Sequence, residues 1–487
     1  MNAFFPPPPT NPPSFPLPNT PAIGHFTPFS NERILKAIGR LKAHKAPGPD
    51  GIPNFILTSC ADLLMDHLQP IYQAIITTGN YPTSWKQFDT IVLRKPGKPA
   101  YNVANAYRPI ALLNTLAKLL STLVVEDISY LCETHNLLPA TQFGGRPGRT
   151  TTDALHLLTQ QIKKAWRSGE VVSVLYLDIK AAFPNVVKTT LLHDMRRIGI
   201  PDIYVKFADS LLTGRSTRLK FDDYTSPDFP INNGNSQGCP LSMLFYAIYI
   251  APLLEITDNC KNQSSGGFVD DTHFIARGKT FDETHAILKD IMERHNGALH
   301  WSTTHNSPFE LSKLAVMNFT HSKEKAANAH MLTIEQDNGA GNVITTPIPN
   351  VESYKLLGVY LDTKLKWTTH HNHVLKRAIR WTALFRRMNR STKGLSQKYA
   401  RQLYLAVAIP RITYAADVWY IPTYEDPDKQ RTAGMVGLTR KLNSIQRSAA
   451  IAITGALRTA AGDATMILAD IYDAGLTLLD ACHRAAV

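Results

Sequence analysis

Phe268-Val269-Asp270-Asp271 sets two carboxylates side by side, and Thr272-His273-Phe274-Ile275-Ala276 follows with the pattern of a strand. Like charges held together are costly unless a cation lies between them. Many Asp-Asp pairs are solvated turn residues, and Asp222-Asp223 reads as one. The pair at 270 has company. A third acid, Asp178, ends Val171–Leu177, a continuous β-prone run with the composition of a buried strand.

Working outward, Leu241–Leu254 reads as an apolar helix before the acid pair. Gly144-Gly145-Arg146-Pro147-Gly148-Arg149 is a basic, glycine-rich loop ahead of a helix from about Thr152 to Trp166. Thr90-Ile91-Val92-Leu93 is strand-like and ends in the basic turn Arg94-Lys95-Pro96-Gly97-Lys98. Tyr107-Arg108-Pro109-Ile110 is expected to lead into a long helix, Leu112 to about Leu131. A helix is expected near Asn185, then helix, strand and strand through Asn318 after the acid pair. Residues 353–361 read as a further strand.

An amphipathic helix over 373–390 follows, with Val374, Ala378, Trp381, Phe385 and Met388 on one face. Lys376, Arg377, Arg380, Arg386, Arg387 and Arg390 crowd the remainder. His370, His371 and His373 lack the i, i+4 spacing of a zinc pair and read as residues at the start of that helix. The tail, 440–487, is alanine-rich and helical. Residues 1–30 hold ten prolines and no charged residue, so a disordered or polyproline-like linker with little to bury is expected. The helical pattern begins after it, with Ser30 or Asn31 as N-cap.

A chain of 487 residues exceeds one ordinary domain. Its formal charge of +13 suits a polyanionic partner, because each neutralised phosphate releases counterions. The cysteines Cys60, Cys132, Cys239, Cys260 and Cys482 show neither metal-knuckle nor redox spacing. Reduced thiols in an intracellular protein, nuclear or cytoplasmic, are the expectation. No apolar run approaches the roughly 20 residues that span a bilayer, and a signal peptide is absent, so neither secretion nor membrane insertion is expected.

Three acids of this kind suit a pair of divalent metal ions roughly 4 Å apart, the usual arrangement in nucleotidyl transfer. One ion activates a primer 3′-hydroxyl, and the other holds the triphosphate and the leaving pyrophosphate. Mg²⁺ is the natural ion, being hard and content with carboxylate and phosphate oxygens, with Mn²⁺ as its substitute.

At this point the chain resembles a known family. Leu177-Asp178-Ile179-Lys180-Ala181-Ala182-Phe183 resembles the first palm motif of reverse transcriptases. Asn235-Ser236-Gln237-Gly238-Cys239-Pro240-Leu241-Ser242 is similar to their Gln-Gly-x-Pro-Leu-Ser motif, and Phe268–Asp271 to their Tyr/Phe-x-Asp-Asp hairpin. The segments 46–51, 107–110, 358–362 and 452–458 look most like non-LTR (LINE-type) retrotransposons, particularly the Tad-like elements of fungi. The likeness covers about 31–487. It implies an α+β right-hand polymerase with fingers, a palm with an antiparallel sheet, a thumb and a helical C-terminal region. The boundaries would be a linker at 1–30, fingers and palm at 31–350, thumb at 351–425 and a helical extension at 426–487.

The resemblance also implies roles. Asp178, Asp270 and Asp271 match the metal-binding acids, with Ile179 as a further ligand. Phe183 matches the steric gate against a ribose 2′-hydroxyl. Gln237 and Gly238 border the incoming nucleotide and template, where glycine permits close backbone approach. Lys95 and Arg108 match the fingers residues that grip the triphosphate. Lys313, in Phe309-Glu310-Leu311-Ser312-Lys313, resembles a palm lysine able to protonate pyrophosphate. Lys376, Arg377, Arg380 and Arg387 would meet the primer–template backbone. RNA template, DNA primer and dNTPs are the implied partners.

Some positions depart from the pattern. Cys239 replaces a small or acidic residue, Met243 often a proline, and Asn262–Gly267 is polar where an apolar strand is common, implying a short first hairpin arm. No endonuclease or ribonuclease H motif is visible. Two competing readings follow: a decayed fragment that only binds RNA or RNA–DNA hybrid, and another palm polymerase of telomerase-like, intron-encoded or RNA-copying type.

Overall fold

The computed structural model describes residues 3–322, 331–337, 343–389, 394–426 and 431–486. It divides into two compact units. Met1–Ala154, Val172–Val316 and Ala329–Asn350 form the first, and Leu155–Val171, Met317–Asn328 and Val351–Val487 the second. Helices and antiparallel-rich sheets are mixed throughout, an α+β architecture consistent with a right-hand polymerase.

Val171–Leu177 forms a strand with all seven residues buried. Its β-branched and aliphatic side chains can face protein on both sides only in the interior of a sheet. That sheet runs, edge to edge, Gln263–Phe268, Asp271–Gly278, Val171–Leu177, Ala315–Phe319. The first two strands form an antiparallel hairpin in which Phe268 lies opposite Asp271, so Val269 and Asp270 alone make the turn. The expected short first arm is corrected to a full six residues, mostly buried. Small residues, not apolar ones, let it form. A Cβ on Gly266 would lie 2.5 Å from the His273 ring, and one on Gly267 2.6 Å from Gln142 Oε1.

In a second sheet, Gln87–Arg94 pairs antiparallel with Tyr107–Leu112 and parallel with Arg215–Phe221. The helix expected from Leu112 begins at Thr115 and ends at Thr134. Tyr107–Leu112 is an edge strand instead, the place in a sheet that tolerates Pro109. The helix expected near Asn185 begins at Lys188. Asn185 is held in a turn, its backbone N–H donating to the Ala181 carbonyl at 2.9 Å. After the acid pair come helices Phe281–Glu293 and Ala298–Thr304, then strand Ala315–Phe319; the first of the two expected strands is thus a helix.

Helix Leu241–Glu255 buries twelve of its fifteen residues and lies in the core of the first unit. A helix apolar all round is stable only with neighbours all round. Residues 3–30 carry neither helix nor strand, as their prolines dictate. The expectation that they bury little is corrected by their aromatic residues. Phe29 is 1% exposed, Phe26 packs edge-on against Tyr204, Phe15 stacks on His193, and Phe5 meets Phe229. Aromatic burial of this kind needs no regular backbone. Ser30 is the N-cap of helix Asn31–Gly39.

In the second unit the expected strand at 353–361 is a hairpin, Ser353–Leu356 with Val359–Asp362. Its turn puts Leu357 and Gly358 at φ +46° and +88°. Helix Thr368–Met388 buries Val374, Ala378 and Phe385. The apolar face stops there, since Met388 is exposed. Phe385 shares a core with Tyr404, Ala449, Ala450 and Ile453, which ties this helix to Val436–Thr454. Helices Gly462–Leu468 and Ala474–Ala486 complete the tail. His373 stacks on Tyr360 at 3.8 Å, while His370 and His371 meet Trp419. Arg390 lies outside the described residues. Among the described residues no helix is long and apolar enough to cross a membrane.

Candidate active site

Asp178 follows the buried strand directly, so its backbone is fixed by the sheet while its side chain stays half-exposed. The chain beyond it pairs with 308–310. Lys180 N–H donates to the Pro308 carbonyl at 2.9 Å, and Glu310 N–H donates to the Asp178 carbonyl at 2.8 Å. This places Lys313 Nζ 2.7 Å from Asp178 Oδ2. Ile179 bridges Phe309, and neither of those two bonds uses the Ile179 carbonyl.

The hairpin turn sets Asp270. Val269 sits at φ +62°, a conformation that costs a β-branched residue on the order of 1–3 kcal/mol. Its neighbours hold it there. Phe143 N–H donates to the Gly267 carbonyl at 2.9 Å, and Gly267 N–H donates to the Thr141 carbonyl at 3.0 Å. Gly144 lies so close that an added Cβ would stand 2.3 Å from Val269 N. The loop is anchored by Arg146, whose buried guanidinium donates to both Glu133 oxygens at 2.7 and 2.8 Å. These bonds hold the Glu133 carboxyl below the usual range.

Charge explains the rest of the site. Crowding by protein raises Asp270 and Asp271, and Asp178 raises both further. Asp271, also repelled by Asp270, is pushed up to about 6, while the Arg108 charge draws Asp270 back down. Both residues remain open to solvent at the surface. Lys95 is lowered by burial and then by Lys98, Arg108 and Lys313, so these cations share one electrostatic neighbourhood. Lys95 Nζ itself donates to the Asn105 carbonyl at 3.0 Å.

Asp270 and Asp271, whose ionisation is disfavoured, and Asp178 beside them are hard oxygen donors that suit a positive charge. Lys313 supplies part of it at Asp178. Among the described residues no three His, Cys, Asp or Glu side chains stand at ligating spacing. A raised folded-state pKa favours the protonated form, so the stability Asp271 contributes is present below pH 4 and lost as pH rises through about 6. Below about pH 6 binding of a divalent ion must displace that proton, whereas at pH 7.5 the carboxylate is already ionised. Mg²⁺ should therefore raise the melting temperature more at pH 7.5 than at pH 5. An equal shift at both, measured by scanning calorimetry, contradicts this reading.

Half-buried Phe183 stacks on Tyr246 with centroids 4.9 Å apart. The Gln237 carbonyl accepts from Ala111 N–H at 2.6 Å, which joins this loop to the strand carrying Arg108. Gly238 has φ +118°, and a Cβ there would meet the Ala111 carbonyl oxygen at 2.4 Å, so only glycine fits. Behind the loop, buried Arg215 donates to the Gly234 carbonyl at 2.7 Å.

All ten residues expected around the reaction centre thus lie in the first unit: Asp178, Ile179, Asp270, Asp271, Lys313, Lys95, Arg108, Phe183, Gln237 and Gly238. Lys376, Arg377, Arg380 and Arg387 belong to the second. Lys376, Arg380 and Arg387 are exposed, and Arg377 donates to the Arg411 carbonyl at 2.9 Å. Sequence reasoning missed Gly144, Arg146, Arg215 and Tyr246. The glycine-rich loop 144–149 was a visible signal, but nothing in its sequence showed that Arg146 serves as an internal anchor to Glu133.

Comparison with known proteins points the same way. Residues 93–361 match a family described as reverse transcriptase (RNA-dependent DNA polymerase). A probable RNA-directed DNA polymerase from transposon X-element of Drosophila melanogaster is 26% identical over 81% of this chain and 42% of its own length. The RNA-directed DNA polymerase from mobile element jockey of the same fly is 24% identical over 82% of this chain and 42% of its own. A putative 115 kDa protein in its type-1 retrotransposable element R1DM is 24% identical over 88% and 39%. The chain therefore spans about two fifths of the length of these relatives.

Proposed function

The chain belongs to the reverse transcriptase (RNA-dependent DNA polymerase) family, and on that premise we propose that it is the polymerase module of a non-LTR retrotransposon. It extends a DNA primer with dNTPs on an RNA template. The observation that carries this reading is the placement of Asp270 and Asp271 on a hairpin paired in the sheet beside the strand that leads into Asp178, with Lys313 Nζ 2.7 Å from Asp178 Oδ2. Arg108 draws Asp270 down and repels Lys95. Within non-LTR elements, the segments 46–51, 107–110, 358–362 and 452–458 favour the Tad-like group.

Asp178, Asp270 and Asp271, with the Ile179 carbonyl, would hold Mg²⁺. When bound, it supplies Lewis-acid stabilisation of the attacking and leaving oxygens. Lys95 and Arg108 grip the triphosphate, Arg108 by a two-pronged contact. Lys313, beside Asp178, delivers a proton to pyrophosphate as it leaves. Gln237 and Gly238 border the nascent base pair, and Phe183 occupies the space of a ribose 2′-hydroxyl. In the second unit, residues 351–425 serve as thumb, with Lys376, Arg377, Arg380 and Arg387 on the primer–template backbone and the helical extension 426–487 bracing them.

The test is single-nucleotide extension of a DNA primer annealed to RNA. Lys95→Ala and Arg108→Ala should each raise the KM for dNTP by about tenfold, roughly the 1.4 kcal/mol of one charge-assisted contact. Affinity for the RNA–DNA hybrid should stay unchanged. Hybrid binding by the wild type with no incorporation at all would identify a decayed, binding-only fragment and refute the proposal.

A further inference from the structure

Tyr246 has no role in the chemistry described so far, yet its position is unusual. It lies in helix Leu241–Glu255 and is fully buried, with 0% exposure. Its ring stacks on Phe183 at 4.9 Å with the planes 25° apart. Its hydroxyl finds no hydrogen-bond partner among the described residues. A buried donor left unpaired costs stability, and phenylalanine would fill the same place without that cost. The ring belongs to the buried core of the first unit and also lies 6.4 Å, centroid to centroid, from the Tyr249 ring one turn along the helix. Phe183, by contrast, is only half-buried and projects from the irregular segment after Asp178.

A gate excludes one oxygen atom only if it cannot retreat by about an ångström. Phe183 has no strand or helix of its own to stop it. Its carbonyl accepts from Asn235 N–H at 2.8 Å, which fixes the backbone, and its ring lies against the Tyr246 ring.

We propose that Tyr246 is a specificity-determining positioning residue: its ring is the backstop that fixes Phe183 against the sugar, and so sets discrimination between deoxyribonucleotides and ribonucleotides. The inference rests on the reading of Phe183 as the gate. It assigns selectivity to the Tyr246 ring and not to its hydroxyl. Tyr246→Phe keeps the stack and should keep the selectivity. Tyr246→Leu keeps most of the volume but replaces a flat, rigid surface with a flexible one.

The measurement is the ratio of kcat/KM for dNTP to that for the matching rNTP, on a DNA primer and RNA template. A ratio within one preparation does not depend on the fraction of folded enzyme. Tyr246→Met therefore serves as a second variant should Tyr246→Leu fold poorly. Phe183→Ala should lower the ratio by at least about a hundredfold, and Tyr246→Leu or Tyr246→Met by about tenfold, in the range a changed pocket surface controls. Tyr246→Phe should stay within about twofold of wild type. Combining Phe183→Ala with Tyr246→Leu should add nothing to Phe183→Ala alone, because the backstop then has no gate to support.

If Phe183→Ala relaxes selectivity while Tyr246→Leu and Tyr246→Met leave it intact, the backstop is refuted and the gate stands. If the double variant shows additive losses, Tyr246 acts by a route other than Phe183 and the inference fails. If Phe183→Ala itself leaves selectivity unchanged, the gate reading fails and takes the backstop with it.

Discussion

Asp270→Asn is expected to reduce primer extension at least about 10³-fold, the loss of several kcal/mol of charge stabilisation in the transition state. The substitution keeps the size of the side chain and removes its charge. Hybrid affinity should be preserved, because the cations assigned to the nucleic acid are untouched. The melting temperature in the absence of metal should hold or rise. Folding disfavours the Asp270 charge through crowding and through Asp178, so removing that charge at neutral pH relieves repulsion. A variant that loses activity together with hybrid binding and stability would show a damaged fold and not a missing catalytic charge. A variant that extends primers within tenfold of wild type would remove Asp270 from the mechanism.

Gly144→Ala should be nearly as damaging, though Gly144 carries no functional group. The added Cβ would stand 2.3 Å from Val269 N and 2.5 Å from Val269 Cγ2. A backbone nitrogen cannot swing aside as the end of a long side chain can, so the turn itself must move. Displacement of about 1 Å at a catalytic group costs on the order of 10²-fold in rate. Overpacking of this kind costs about 1–3 kcal/mol of stability. Gly148, four residues along the same loop, has open space where its Cβ would go, although its φ is +70°. Gly148→Ala should therefore cost stability through backbone strain and leave the rate of incorporation nearly intact. Equal losses of rate in the two variants, measured by single-turnover extension, would refute the role given to Gly144.

Features whose chemistry is local are legible in the sequence, and features made by distant contacts are not. The acids were legible because their chemistry is local: Asp178 closes an unbroken apolar run, and Asp270-Asp271 precede a strand. Strand Val171–Leu177 and helix Leu241–Glu255 were legible for the same reason, as long uninterrupted runs with one plausible environment. Other features depend on contacts between segments far apart in the chain. Asn262–Gly267 looked like loop because glycine and polar residues disfavour strands, but His273 and Gln142 approach so closely that only small residues fit. The proline-rich start looked featureless because its prolines preclude regular structure, while Phe15, Phe26 and Phe29 find partners that periodicity cannot reveal. Tyr246 was one apolar residue among many in its helix; only its stack on Phe183 distinguishes it.

The most direct measurement is extension of a DNA primer on an RNA template by the purified wild-type chain, with dNTPs, in Mg²⁺ and in EDTA. The expected result is addition of nucleotides to the primer in Mg²⁺ alone, with none in EDTA and none by Asp178→Asn under either condition. Bound hybrid with no extension in Mg²⁺, or extension that persists in Asp178→Asn, would contradict the assignment of Asp178, Asp270 and Asp271 as the centre of a metal-dependent polymerase.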